Sequence, residues 1–140
     1  MSEVRFKGKK INIPKIGILW IPTAKIELIA NGKNYFCEMI VDSGADITLI
    51  PRSLGEFLGF SFTGEKIQEI RGIGEGTLPY IVKTIELRIG NFKFKCLIGI
   101  ALIEGIPLIL GRFDVFDSFN IEFRQKERLT IFRLGDKRSL

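Results

Sequence analysis

The stretch Met39-Ile40-Val41-Asp42-Ser43-Gly44-Ala45-Asp46-Ile47-Thr48-Leu49-Ile50 decides how this chain is read. An apolar strand pattern runs into a carboxylate, then into small residues, then into apolar residues again. A carboxylate at the end of a hydrophobic strand is costly to bury unless it is paired or hydrogen-bonded. Ser43 supplies a hydroxyl donor, and Gly44 lets backbone N–H groups approach closely. Asp-Ser-Gly alone has the composition of an ordinary β-turn. A surface turn, however, is not usually followed at once by Ile47, Leu49 and Ile50. The pattern therefore predicts Asp42 in a prepared site rather than on a solvated turn.

Outward from that stretch, apolar residues alternate at the period of a strand. Ala24, Ile26, Leu28 and Ala30 share one face, and Asn31-Gly32 follows as a two-residue hairpin signal. The chain resumes with Tyr35, Cys37, Met39 and Val41 on one face and Phe36 and Ile40 on the other. That pattern predicts a strand buried on both sides near its end. A second hairpin joins Ile81–Ile89 to Phe92–Ile98 through Gly90-Asn91, and a third joins Asn120–Arg124 to Leu129–Leu134. Ile16–Ile21, with Trp20, reads as an extra strand, either in the core or at a contact between chains. Helical signal is confined to Pro51–Leu58, which Gly59 would end, and to Phe113–Ser118. The sum is an all-β chain of sandwich or barrel type with one or two short helices.

The length of 140 residues predicts a single domain spanning 1–140. The chain has no His, so no Ser-His-Asp or Cys-His arrangement forms within it. With Cys37 and Cys96 as its 2 cysteines, it cannot build a four-cysteine zinc site alone. Acid–base chemistry then falls to carboxylates, Lys or Tyr. The 21 basic and 16 acidic residues give a net charge of +5, with basic residues gathered at both ends. No nucleic-acid-binding motif accompanies that charge, and no nucleic-acid partner is expected. Both cysteines are expected as buried free thiols, although their spacing does not rule out a disulfide. Met1–Lys10 lacks the apolar core of a secretory signal, and no run of 18 apolar residues occurs; a cytoplasmic location without a membrane partner is expected.

Val41-Asp42-Ser43-Gly44-Ala45-Asp46-Ile47-Thr48 resembles the active-site segment of retropepsin-like (retroviral-type) aspartic proteases, whose pattern is hydrophobic-Asp-Thr/Ser-Gly-Ala-x-x-Thr/Ser. The resemblance continues in order. Ile70-Arg71-Gly72-Ile73-Gly74-Glu75-Gly76 is similar to the glycine-rich tip of the flap in those enzymes, with Gly72 to Gly76 at the tip itself. Leu108-Ile109-Leu110-Gly111-Arg112 is similar to their second signature, apolar residues followed by Gly. The matched region runs from about residue 23 to 123. The resemblance implies a closed β-barrel and an aspartic endopeptidase that uses neither metal nor cofactor. It implies that Asp42 is catalytic and that Ser43, Gly44 and Ala45 support its loop. Leu108, Ile109 and Leu110 would pack beneath that loop in a crossed ψ arrangement, with Gly111 permitting close approach. Arg112 would pair with Asp46 as a structural contact.

That chemistry needs two facing carboxylates, because like charges so close cannot both ionise; one then acts as base and the other as acid. The chain holds one Asp-Ser/Thr-Gly, since Asp117-Ser118 is followed by Phe119. A dyad therefore requires Asp42 from each of two chains, a homodimer with a two-fold axis. The resemblance implies that Ser43 bonds across to the other subunit's loop and that an extended peptide or protein segment is the substrate. The alternative reading keeps the same dimer as a non-proteolytic module that binds a peptide or protein. The chain extends past the matched region at both ends. In retroviral enzymes the termini build much of the dimer interface, so the resemblance leaves the mode of dimerisation open. Glu75 also stands where such flap tips often carry Gly or an apolar residue.

Overall fold

A computed structural model describes residues 3–71, 74 and 76–135. The chain is mostly β. Strands β1 (Glu3–Lys7), β2 (Lys9–Ile13) and β3 (Gly17–Ile21) precede a hairpin of β4 (Thr23–Ala30) and β5 (Lys33–Val41). β6 (Thr48–Ile50), α1 (Arg52–Phe57), β7 (Gln68–Arg71), β8 (Thr77–Ile89) and β9 (Phe92–Ala101) follow. The short β10 (Ile109–Leu110), then β11 (Phe119–Arg124) and β12 (Leu129–Leu134), complete the order. Among the described residues, no helix is long and apolar enough to cross a membrane.

The main sheet runs β4-β5-β10-β6-β9-β8-β7, and an additional β4–β8 pairing closes it into a barrel. β8 is long enough to serve two neighbours. Its second half pairs with β4, from Ile26↔Ile89 to Ile29↔Glu86, and its first half pairs with β7, from Gln68↔Tyr80 to Arg71↔Thr77. Both anticipated turns form. Asn31 and Gly32 take φ of 52° and 74°, and Gly90 takes φ of 60°, the positive values that tight hairpins demand. The third hairpin closes through a single 3-10 turn, Gln125–Glu127, with Arg128 left-handed at φ 61°.

Alternation explains the core. Ile26, Leu28, Met39, Ile81, Leu87, Ile98 and Leu110 point inward and are buried. Each such aliphatic side chain contributes about 1.5–3 kcal/mol by leaving water. One end of the core is aromatic. Phe119 lies edge-on to Phe92, Phe94 and Phe132 at 5.4–5.6 Å between ring centres. The double-sided burial expected for β5 holds only at its end, where Ile40 is half-buried; Phe36 is 71% exposed.

The two expected helices have different outcomes. The helix anticipated at Pro51–Leu58 is α1, with Pro51 as the residue before it and Gly59, at φ 89°, after its end. The helix anticipated at Phe113–Ser118 is instead a series of turns. Asp114 is left-handed at φ 64°, which a right-handed helix cannot contain, and its Oδ2 accepts the Leu97 N–H at 2.8 Å. That bond to β9 holds Asp114 out of helical geometry.

The N-terminal end carries two strands, β1 and β2, that the alternation reading passed over. β1 pairs antiparallel with β12, which also pairs with β11, in a separate three-stranded sheet. Val4 and Phe6 alternate with charged residues there, a period-two signal hidden among basic neighbours. β2 and β3 form a hairpin of their own, not joined to either sheet. The Ile16–Ile21 segment is therefore a strand but not a core strand: Ile16 is 80%, Ile18 66% and Leu19 42% exposed.

Candidate functional site

β5 delivers Asp42. Its last residues are held from both sides: Ile40 N–H donates to Leu108 O at 2.9 Å, Val41 N–H to Pro22 O at 3.0 Å, and Asp42 N–H to Leu110 O at 3.0 Å. Three consecutive main-chain donors thus have protein acceptors, so the backbone leading into the carboxylate is fixed. Asp42 itself is half-buried, while Ser43 and Gly44 are exposed. The carboxylate is oriented by its own loop, for Gly44 N–H donates to Asp42 Oδ1 at 2.9 Å and Ala45 N–H to Asp42 O at 3.2 Å. A side-chain oxygen accepting from the backbone two residues on is an Asx turn, which satisfies one oxygen; among the described residues the other has no hydrogen-bond partner.

The loop is seated on a crossed-strand support. β5 and β6 are joined by the Asp42 loop but do not pair with each other; β10 lies between them, parallel to β5 and antiparallel to β6. The chain enters from β9, also across from β6, so residues far apart in sequence meet in one layer. Gly111 follows β10 beneath the loop. A methyl group there would come within 2.2 Å of the Ile47 carbonyl carbon and oxygen, so only glycine fits. Gly111 N–H donates to the buried hydroxyl of Thr48 at 3.0 Å. Arg112 N–H donates to Ala45 O at 2.9 Å and Phe113 N–H to Asp46 O at 2.8 Å.

These bonds correct one expectation. Among the described residues, Asp46 and Arg112 form no side-chain ion pair. Their segments are stitched through the backbone instead, and both side chains are exposed, where water competes well for either charge.

A cavity of about 460 Å³ opens beside the loop, bounded by Gly44, Ala45 and Asp46 on one side and by β7 and β8 on the other. Ile47, Leu49, Ile70, Leu78, Tyr80 and Ile109 give it an apolar wall, and Glu69 and Arg71 stand with them on its lining. Gly99 lies behind this wall; a methyl there would meet Ile47 at 2.7 Å and Tyr80 at 3.0 Å. Ile70 and Arg71, which open the glycine-rich motif, lie on this lining as well. Sequence reasoning missed Tyr80 and Glu69, because nothing in a strand's alternation says which of its residues faces a loop arriving from elsewhere. Of the glycine-rich tip, Gly72, Ile73 and Glu75 lie outside the described residues. Gly74 and Gly76 have open space where a side chain would stand, and Gly74 takes φ of 99°.

The thiols are separate and free. Cys37 is half-buried and Cys96 buried. Burial pushes Cys37 up to about 11. Burial first, then the Asp114 carboxylate, pushes Cys96 up to about 12, against a smaller opposing effect of the Thr48 hydroxyl. Such thiols are poor nucleophiles.

The chain is similar to known proteins. The family model for aspartyl proteases matches residues 24–112, more than half of the chain. Among solved structures, the chain superposes on a retropepsin-like aspartic protease from Rickettsia conorii with a TM-score of 0.64 at 17% identity, covering 94% of this chain and 90% of that one. An EIAV protease in an inhibitor complex is matched with a TM-score of 0.47 at 17% identity, over 73% of this chain and 88% of that one.

Proposed function

The chain belongs to the aspartyl protease family and has the retropepsin-like fold, and on that premise we propose that it is a homodimeric aspartic endopeptidase. The observation that carries this reading is the seating of Asp42: a half-buried carboxylate on a fixed backbone, with Oδ1 held by Gly44 N–H and, among the described residues, no partner on its second oxygen. Asp42 and Asp42 of the partner subunit, brought together on a two-fold axis, share one proton because both cannot ionise at contact distance.

In the proposed reaction a water lies between the two carboxylates. The ionised Asp42 takes its proton as the oxygen attacks the peptide carbonyl carbon. The protonated member of the pair hydrogen-bonds to the carbonyl oxygen and stabilises the tetrahedral intermediate. A carboxyl proton then passes to the amide nitrogen and the C–N bond breaks. Atoms and charge balance without metal, cofactor or covalent enzyme intermediate. Ser43 is exposed on the loop, and in the proposed dimer its hydroxyl bonds across to the second subunit. The peptide lies extended between the Asp42 loop and the β7–β8 hairpin, with one side chain entering the apolar cavity.

The test is cleavage of a mixed peptide library by the wild-type chain and by Asp42→Asn. Cleavage by the first alone supports the proposal. Equal cleavage by both, or peptide binding without cleavage by the wild type, overturns it, the latter in favour of a non-proteolytic module.

A further inference from the structure

The β2–β3 hairpin is unlike every other pair of strands described. Its strands bond to each other, from Lys9↔Ile21 to Ile13↔Gly17, and to no further strand. A lone two-stranded hairpin is marginal in water; it needs a third strand or a surface against which to pack. Its root has such a surface. Gly8 N–H donates to Arg128 O at 2.8 Å, and Gln125 Nε2 donates to Trp20 O at 2.7 Å. The Arg128 guanidinium also stacks 4.4 Å from the centre of the Trp20 ring. Its outer part has none: Ile16 and Ile18 are 80% and 66% exposed, and Leu19 42%.

Where the arm is rooted matters more than its exposure. β3 ends at Ile21, and the next residue, Pro22, accepts the Val41 N–H at 3.0 Å, one residue before Asp42. A two-fold axis that brings two Asp42 carboxylates together therefore passes close to two arm roots. Charge also fits a second copy of this chain. Lys9, Lys10 and Lys15 are exposed on the arm, while Glu38, two pairing positions from the root, and Asp46, on the catalytic loop, are exposed carboxylates. Among the described residues none of these five forms an ion pair. The terminal strand β12 is no substitute, for both of its edges are already occupied within the chain.

We propose that the β2–β3 hairpin is a dimerisation arm, whose apolar outer residues Ile16, Ile18 and Leu19 pack on a second copy of this chain beside its Asp42 loop. The inference rests on the two-chain reading of Asp42 and adds the surface that assembles it. A root fixed by hydrogen bonds holds the arm ready, which lowers the ordering cost of association.

The experiment compares sedimentation of the wild-type chain with the double variant Ile16→Glu, Ile18→Glu over a range of concentrations. Both positions are exposed in the single chain, and circular dichroism checks that the barrel persists. The expected result is a dimer dissociation constant raised about 100-fold or more by the variant, the loss seen at interface hot spots. Hydrogen exchange on the wild type gives an independent reading, with amides of residues 10–21 gaining protection as concentration rises. Wild-type-like dimerisation by a folded variant, or arm exchange indifferent to concentration, overturns the arm and leaves the Asp42 reading standing. A wild-type chain that cleaves peptide while remaining monomeric at every concentration overturns both. A variant that misfolds leaves the decision to the wild-type exchange data alone.

Discussion

The hydroxyl of Thr48 accepts the backbone N–H of Gly111 at 3.0 Å across 63 residues of sequence, in a position from which water is excluded. It is the buried side-chain bond that locks the strand leaving the Asp42 loop to the strand running beneath it. Thr48→Val keeps the shape and removes the acceptor. Leaving the Gly111 N–H unsatisfied is expected to cost about 1–3 kcal/mol. Urea denaturation checks this, and Thr48→Ser is expected to recover most of the loss.

Gly111→Ala is expected to be more severe. The added methyl meets main-chain atoms, not a side chain that can swing aside. Relief requires the Asp42 loop and β10 to separate, at a cost of about 3 kcal/mol or more. Thermal melting followed by circular dichroism reads the effect, and a melting temperature equal to that of wild type contradicts the crossed-strand packing.

Asp42→Asn separates chemistry from architecture. The amide oxygen of Asn still accepts from Gly44 N–H, so stability is expected to stay within about 0.5 kcal/mol of wild type. Peptide hydrolysis is expected to fall by a factor of about 10²–10⁴ or more, since the proposed dyad could no longer transfer a proton. Kinetics on one cleaved peptide, beside a melting curve, tests both halves.

Alkaline pH is expected to weaken the fold through Cys96. Its folded value of about 12 lies above the 9.0 of a free thiol, so the unfolded chain ionises first. The contribution is complete below about pH 9 and fades as pH rises toward 12. Melting temperatures between pH 8 and 11 are expected to decline less steeply in Cys96→Ala than in wild type. Native Cys37 and Cys96 are also expected to resist alkylation at pH 8 until the chain is unfolded.

Acid is expected to loosen the terminal sheet. The Arg124 guanidinium first, then Arg133, holds the Glu122 carboxyl at about 2. Because that value is depressed, its support is present above about pH 4.5 and is lost as pH falls toward 2. Hydrogen exchange across β1, β11 and β12 at pH 3 and pH 6 measures it, and Glu122→Gln is expected to show a smaller difference between the two.

Much of this protein is written in short-range pattern. Alternation of apolar residues specifies the strands from Ala24 onward, because a pleated strand with one wet face admits only that period. Asn31-Gly32 and Gly90-Asn91 specify two turns, because few residues tolerate positive φ. Asp42-Ser43-Gly44 and Leu108–Gly111 mark the family's motifs. What pattern cannot carry is the meeting of distant segments. That β10 threads between β5 and β6, that Tyr80 and Arg71 face the Asp42 loop, and that Asp114 leaves helical geometry to bond Leu97 are set by packing across the barrel. The same holds for Asp46 and Arg112: the resemblance implies an ion pair, while the main chain instead bonds Arg112 N–H to Ala45 O and Phe113 N–H to Asp46 O. Local sequence determines which residues form strands and turns, since those choices depend on a residue and its near neighbours. Only the closed barrel determines which of them share a site, because that depends on register, crossing and the space a single methyl group would fill.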